Sequence, residues 1–207
     1  MPGTLSDAGQ SAKRKRASSE KRPSKRSRSD SEGEDDVQAQ ILGLGPKISS
    51  SKKYHKRIPN LIDIIQSSSG EGEDDHSVVA AISLCGAFTR LMISGDMSKK
   101  SANTKEEAEV VENLRKQYSK YKVALVGLLT QDGVPGSTAL DLCMRLLKTE
   151  SETLLKSQEN NFPVPFLTRI LRALLEPGND GSTRKAFSET YVEEYDDIRF
   201  YTLEAIA

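Results

Sequence analysis

The chain has 207 residues, room for one ordinary domain and a tail, and its 30 basic residues are matched by 30 acidic ones. The balance is local: residues 1–28 carry nine cations against Asp7 and Glu20, a net of +7, and residues 29–36 carry five carboxylates and no cation. The remainder is close to neutral, so no strongly basic nucleic-acid-binding face is evident in the body.

Residues 1–36 hold almost no large apolar side chain beyond Leu5. Too little can be buried to offset the entropy of ordering, and the segment reads as a disordered tail. Within it, Lys13, Arg14, Lys15 and Arg16 form one basic cluster, and Lys21, Arg22, Lys25, Arg26 and Arg28 form a second. The spacing is that of a bipartite nuclear-import signal, in which an import receptor reads separate cationic side chains on an extended backbone. A nucleic-acid-binding arm that neutralises phosphates is the open alternative. Ser29 and Ser31 have Glu32 and Glu34 three positions on, the pattern an acidophilic kinase reads. In residues 37–57, Gly43, Gly45 and Pro46 interrupt Ile41, Leu42, Leu44 and Ile48, which predicts a linker with at most one docking contact.

The body, residues 58–207, reads as helices between short breakers. Asn60 is placed to cap a short helix through Leu61, Ile62, Ile64 and Ile65. Val78, Ile82, Cys85, Phe88 and Met92 recur at helical steps as the buried stripe of a second, which stops near Ser94-Gly95-Asp96. Thr104 and Glu107 form a capping box for a long third helix with the stripe Val111, Leu114, Tyr118, Tyr121, Leu125, Leu128 and Leu129. After turns at Asp132-Gly133 and Pro135-Gly136, Thr138 and Asp141 suggest another capping box, opening a helix with Leu140, Cys143, Leu147, Leu154 and Leu155. Pro163 and Pro165 suit the first turn of a fifth helix that packs through Phe166, Leu167, Ile170, Leu171 and Leu174. Ser182 or Thr183 caps a last helix with the stripe Phe187, Tyr191, Tyr195, Ile198 and Tyr201.

No run alternates apolar and polar residues as a strand would. The expected fold is all-α: antiparallel helices stacked as an irregular, HEAT/armadillo-like α-solenoid or as a bundle. The last helix runs into Glu204-Ala205-Ile206-Ala207 without a glycine stop or polar tail, as expected for the N-terminal part of a longer protein.

The chemistry-bearing residues are sparse. Cys85 and Cys143 lie singly in apolar runs, the pattern of core thiols in a reducing compartment. His55 and His76 lack a second ligand at metal-site spacing. Gly43-Leu44-Gly45 is a fragment of a dinucleotide fingerprint without the strand it needs. Glu189, Glu193, Asp196 and Asp197 recur along one predicted helix face. Such a row could hold a metal or do acid–base work, but with no Glu-x-x-His partner elsewhere it reads as a solvated face, open to docking by a basic partner. No apolar run reaches the ~18 residues of a membrane span, and no secretory signal leads the chain. The expectation is a soluble intracellular protein that is not an enzyme, with no cofactor, metal, membrane or small-molecule substrate.

Three stretches carry a resemblance. They are Asn161-Phe162-Pro163 with Phe166, Ile170 and Leu171-Arg172-Ala173-Leu174-Leu175; Phe187 through Tyr191 with Asp196-Asp197-Ile198-Arg199-Phe200-Tyr201; and Phe88-Thr89-Arg90-Leu91 with Gly95-Asp96. Over residues 58–207 the order of helices and aromatic–aliphatic positions resembles the N-terminal region of nucleolar complex protein four, a small-subunit ribosome assembly factor family of the CCAAT-binding-factor/Noc type. The resemblance implies a nucleolar helical-repeat scaffold without catalytic residues. It implies work alongside nucleolar protein fourteen in the small-subunit processome, supporting maturation of the small-subunit ribosomal RNA. The family's shared C-terminal domain has no counterpart in these 207 residues. A nuclear nucleic-acid-binding or chromatin protein using the basic arm is the alternative, with pre-ribosomal RNA reached indirectly or through the tail.

Overall fold

A computed structural model describes residues 29–67, 74–98, 104–155, 161–176 and 181–206. Among them there are eight α-helices and no strand. The helices are α1 (Ser29–Ser50), α2 (Ile58–Ser67), α3 (Asp74–Ile93), α4 (Lys105–Leu129), α5 (Val134–Thr153), α6 (Val164–Leu174), α7 (Ser182–Phe187) and α8 (Asp196–Ile206). A 3-10 turn, Lys52–Arg57, joins α1 to α2.

The packing order identifies the architecture. Each helix rests on the one two places along the chain: α1 on α3, α3 on α5 and α5 on α7 in one layer, and α2 on α4, α4 on α6 and α6 on α8 in the other. Further contacts of α2 with α3, α4 with α5 and α5 with α6 join the layers. Two layers that advance together in this way make a helical-repeat stack, so the solenoid rather than a closed bundle is the form adopted. Its core runs continuously from Ile41 on α1 to Ile198 on α8.

The sequence expectation for α4 holds position by position. Thr104 Oγ1 accepts from the Glu107 N–H at 3.2 Å and the Glu107 carboxylate accepts from the Thr104 N–H at 3.3 Å. All seven residues of the expected stripe are buried, with Ala124 added. The α6 expectation also holds: Pro163 and Pro165 lie at the helix start, and Phe166, Leu167, Ile170, Leu171 and Leu174 are buried.

Residues 37–57 are not a linker. They belong to α1 and the following 3-10 turn, and Ile41, Gly45 and Ile48 form a stripe buried against the core. Glycine at position 45 lets the two backbones meet, since a Cβ there would lie 2.7 Å from the Ser83 carbonyl oxygen. Ser83 Oγ returns a hydrogen bond to the Ile41 carbonyl at 2.9 Å. Burial of Ile41 and Ile48 contributes about 3–6 kcal/mol, enough to offset the ~3 kcal/mol cost of Pro46 inside the helix. The expected tail, residues 1–36, overlaps this helix from Ser29 onward, and its remainder lies outside the described residues.

The helix starts also need correction. Ile58 opens α2 with Pro59 in its first turn, so Asn60 is inside the helix and is not its cap. The α5 helix begins at Val134 after Gly133, whose φ of 75° is left-handed. Thr138 is therefore a second-turn residue, and the expected box with Asp141 does not form. Gly136, read as part of a turn, sits in the first turn of α5, where a Cβ would collide with the Gln131 carbonyl oxygen.

α3 is the central helix and is buried nearly all round, against α1, α2 and α5. Its buried set includes Ala80, Ala81, Leu84, Cys85, Ala87 and Phe88, whereas Ile82, expected in the stripe, is 41% exposed. A helix covered on several sides has no single stripe to read. For the same reason His76–Ile93 is long and apolar enough to cross a membrane by length and composition, although no uninterrupted apolar run reaches that length. Its burial among three helices accounts for its hydropathy.

Candidate functional site

No cluster of metal-ligating side chains occurs among the described residues. Burial raises the pKa of both the Cys85 and the Cys143 thiol, which keeps them protonated and unreactive. Both are free and buried in the core. His55 lines a cavity of about 240 Å³ with Ser51, Lys52, Asp96 and Leu114, between the end of α1 and α4. Burial holds its pKa below the ordinary value, against opposing help from a hydrogen bond with the Ile48 backbone and from Asp96.

The carboxylate row is not one helix face. The chain from Ser182 forms six residues of α-helix and then a π-helical turn, Ser188–Val192, in which the Glu193 N–H donates to the Ser188 carbonyl five residues back at 3.0 Å. A break follows, and α8 starts afresh at Asp196. Arg199 closes this break. Its guanidinium donates to the Val192 carbonyl at 3.0 Å, to the Glu193 carbonyl at 2.6 Å and to Asp196 Oδ1 at 3.1 Å. Glu189 meets Lys185 at 3.7 Å, and Asp197 Oδ1 accepts from the Ile198 N–H at 2.8 Å. Glu189, Glu193, Asp196 and Asp197 are all exposed, but they are spread over the π-helical turn, the break and α8 rather than aligned on one face.

The break re-aims the aromatic stripe. Phe187 and Ile198 stay buried, Tyr191 is half-buried, and Tyr195 is 50% exposed. Tyr191 and Tyr195 stack with ring centroids 6.3 Å apart. Beside them runs a groove of about 510 Å³ whose other wall is the outer face of α5. Asp141, Arg145, Lys148 and Glu152 line that wall, with Met144 and Leu147 between them. Phe162 and Ile198 add apolar surface, and Asp197 stands at the α8 side. The two walls are tied by the Tyr191 hydroxyl, which donates to Asp141 Oδ1 at 2.9 Å. Burial and this carboxylate push the Tyr191 phenol well above its ordinary pKa, so it remains a donor.

The sequence reading found Asp197 and the tyrosines but assigned Tyr195 to the core and Asp141 to a cap. Nothing local marks Asp141 or Glu152 as groove residues, because the partner wall is about fifty positions away. The import cluster, Lys13 to Arg28, lies outside the described residues, and Ser29 and Ser31 fall in the first turn of α1.

The sequence pattern described as nucleolar complex protein 4-like, TPR repeats, matches residues 30–207. The chain belongs to that family. The match begins within α1, in agreement with a repeat stack that includes residues 37–57. No curated protein and no solved structure matches the chain. The nucleolar complex protein 4-like body is a tetratricopeptide-type stack without a strict sequence period, which is why the repeat was not legible as a repeat.

Proposed function

We propose that this chain is a non-enzymatic nucleolar scaffold for small ribosomal subunit biogenesis and rRNA maturation, acting through protein–protein contacts. The observation that carries the reading is the nucleolar complex protein 4-like match across the whole two-layer stack, residues 30–207. A stack of this kind offers extended grooved surface for partners, and the groove between α5 and the 188–198 segment is one such surface. The basic clusters at Lys13–Arg16 and Lys21–Arg28 support nuclear delivery by an import receptor. Nucleolar protein fourteen and other processome proteins are the proposed partners. The test is immunoprecipitation of the tagged protein from nuclear extract. Recovery of nucleolar protein fourteen with precursor small-subunit RNA is expected, and recovery of neither overturns the proposal.

The net charge of +7 on residues 1–28 favours a second reading, a nucleic-acid-binding arm. That arm predicts RNA affinity that falls steeply with salt and disappears on deletion of residues 1–28. A deletion that redirects localisation and leaves RNA affinity unchanged removes it.

A further inference from the structure

We propose that the groove between α5 and the 188–198 segment binds an arginine-bearing peptide segment of a partner protein. The inference rests on the reading of the body as a protein-binding scaffold and names the chemistry of one partner.

Three features converge on that occupant. The first is the π-helical turn with the break behind it, a departure from plain helix of a kind found frequently at functional sites. It lifts Tyr195 out of the core stripe while Phe187 and Ile198 remain buried. The Tyr195 hydroxyl has no hydrogen-bond partner among the described residues, and its half-exposed ring lies beside that of Tyr191, 6.3 Å away between centroids.

The second is charge. The groove lining holds Asp141, Glu152 and Asp197 against Arg145 and Lys148. On the adjoining segment Lys185 and Arg199 answer Glu189 and Asp196, which leaves Glu193 and Glu194 without an ion pair among the described residues. The groove lining is net negative by one, and the carboxylates of Glu193 and Glu194 stand on the same segment as its Tyr195 wall, a balance that favours a cationic peptide over nucleic-acid phosphates. The third is shape. Met144, Leu147, Phe162 and Ile198 supply apolar wall on either side of the polar groups, suited to aliphatic side chains flanking the cation.

Arginine fits better than lysine. Its flat guanidinium stacks on an aromatic face and pairs with a carboxylate through two parallel N–H donors. Tyr195 supplies the face and Asp197 the carboxylate.

The test is fluorescence anisotropy on the full 207-residue chain with three labelled 12-residue peptides. They share one leucine-containing pattern and carry arginine, glutamine or glutamate at two central positions. The arginine peptide is expected to bind roughly tenfold more tightly than the glutamine peptide, and the glutamate peptide more weakly still. Tyr195→Ala and Asp197→Asn each remove most of that preference. Asparagine retains an acceptor for the Ile198 N–H, so the start of α8 is preserved, and circular dichroism checks the fold of both variants. Glu112→Gln, on the exposed side of α4, is the control and leaves binding unchanged. Equal binding of the three peptides overturns the proposal, as does a preference that survives both substitutions. Concentration-dependent dimerisation lost in Tyr195→Ala would assign the groove to a second copy and also overturn it. If peptide selectivity is absent while immunoprecipitation still recovers precursor small-subunit RNA, the groove inference alone falls. If the selectivity is present and the RNA is not recovered, the ribosomal reading falls and the groove stands.

Discussion

The Tyr121 hydroxyl on α4 donates to the Ala81 carbonyl on α3 at 2.7 Å, across forty positions of sequence. Both residues are buried, and the Tyr121 ring stacks on Phe88 at 5.5 Å between centroids. The bond gives the phenol a backbone acceptor in the middle of the stack, where burial raises its pKa far above the ordinary value. Tyr121→Phe keeps the ring and removes the donor, so the expected loss is about 1 kcal/mol. Tyr121→Ala also opens a cavity and is expected to cost about 3–5 kcal/mol. Urea unfolding of the two variants measures both, and equal losses would show that the ring contributes nothing beyond the hydroxyl.

Tyr121 was legible in the sequence as part of the α4 stripe, and the reason is geometric. α4 has one buried face and one wet one, so its apolar residues repeat at helical spacing, and Thr104 and Glu107 mark its start. α3 is covered on several sides, so the phase that placed Ile82 inward had no contrast to rest on. α1 was hidden for a different reason. Gly43, Gly45 and Pro46 are breakers by local preference, and only the tertiary contact of Gly45 with Ser83 explains why glycine stands there. The groove was illegible because Asp141 and Tyr191 come together only in the fold.

Glu150 on α5 accepts from the Lys122 ammonium at 3.1 Å and from the Tyr118 hydroxyl at 3.1 Å. The lysine also lies 4.7 Å from the Tyr118 ring centroid and 4.8 Å from that of Phe166. Both charged side chains are mostly shielded from water, at 15% and 14% exposure, so removing one partner strands the other. Glu150→Leu and Lys122→Met are each expected to cost about 2–3 kcal/mol, and the Lys122→Met/Glu150→Leu double variant to lose clearly less than the sum of the two. A double-mutant cycle by chemical denaturation decides the matter, with additive losses counting against the coupling.

Acid sensitivity should have one identifiable source at the α1–α4 junction. The His55 pKa is held below its ordinary value of 6.5, chiefly by burial. The unfolded chain therefore binds the proton more readily than the folded one. The contribution to stability is fully present above 6.5 and is lost as pH falls through the folded value. Comparing thermal unfolding at about pH 7.5 and about pH 5, the wild-type chain should lose more Tm than His55→Gln. Parallel losses in the two proteins would assign the acid sensitivity to other groups.

Two glycines two residues apart give the sharpest test of whether α1 belongs to the folded stack. A Cβ at Gly43 would meet nothing within 4 Å, whereas one at Gly45 would lie 2.7 Å from the Ser83 carbonyl oxygen and 3.0 Å from its hydroxyl. Both positions are helical with ordinary backbone angles, so alanine gains the same helix preference at each, about 0.5–1 kcal/mol. At position 43 nothing opposes that gain, and Gly43→Ala should raise stability by roughly that amount. At position 45 the added methyl must push α1 away from the α3 backbone and stretch the Ser83–Ile41 hydrogen bond, a net cost of about 1–3 kcal/mol. A flexible linker would respond to the two substitutions alike. Opposite signs in chemical denaturation are the result expected of a packed first helix, and two neutral substitutions would return residues 37–50 to the status of a linker.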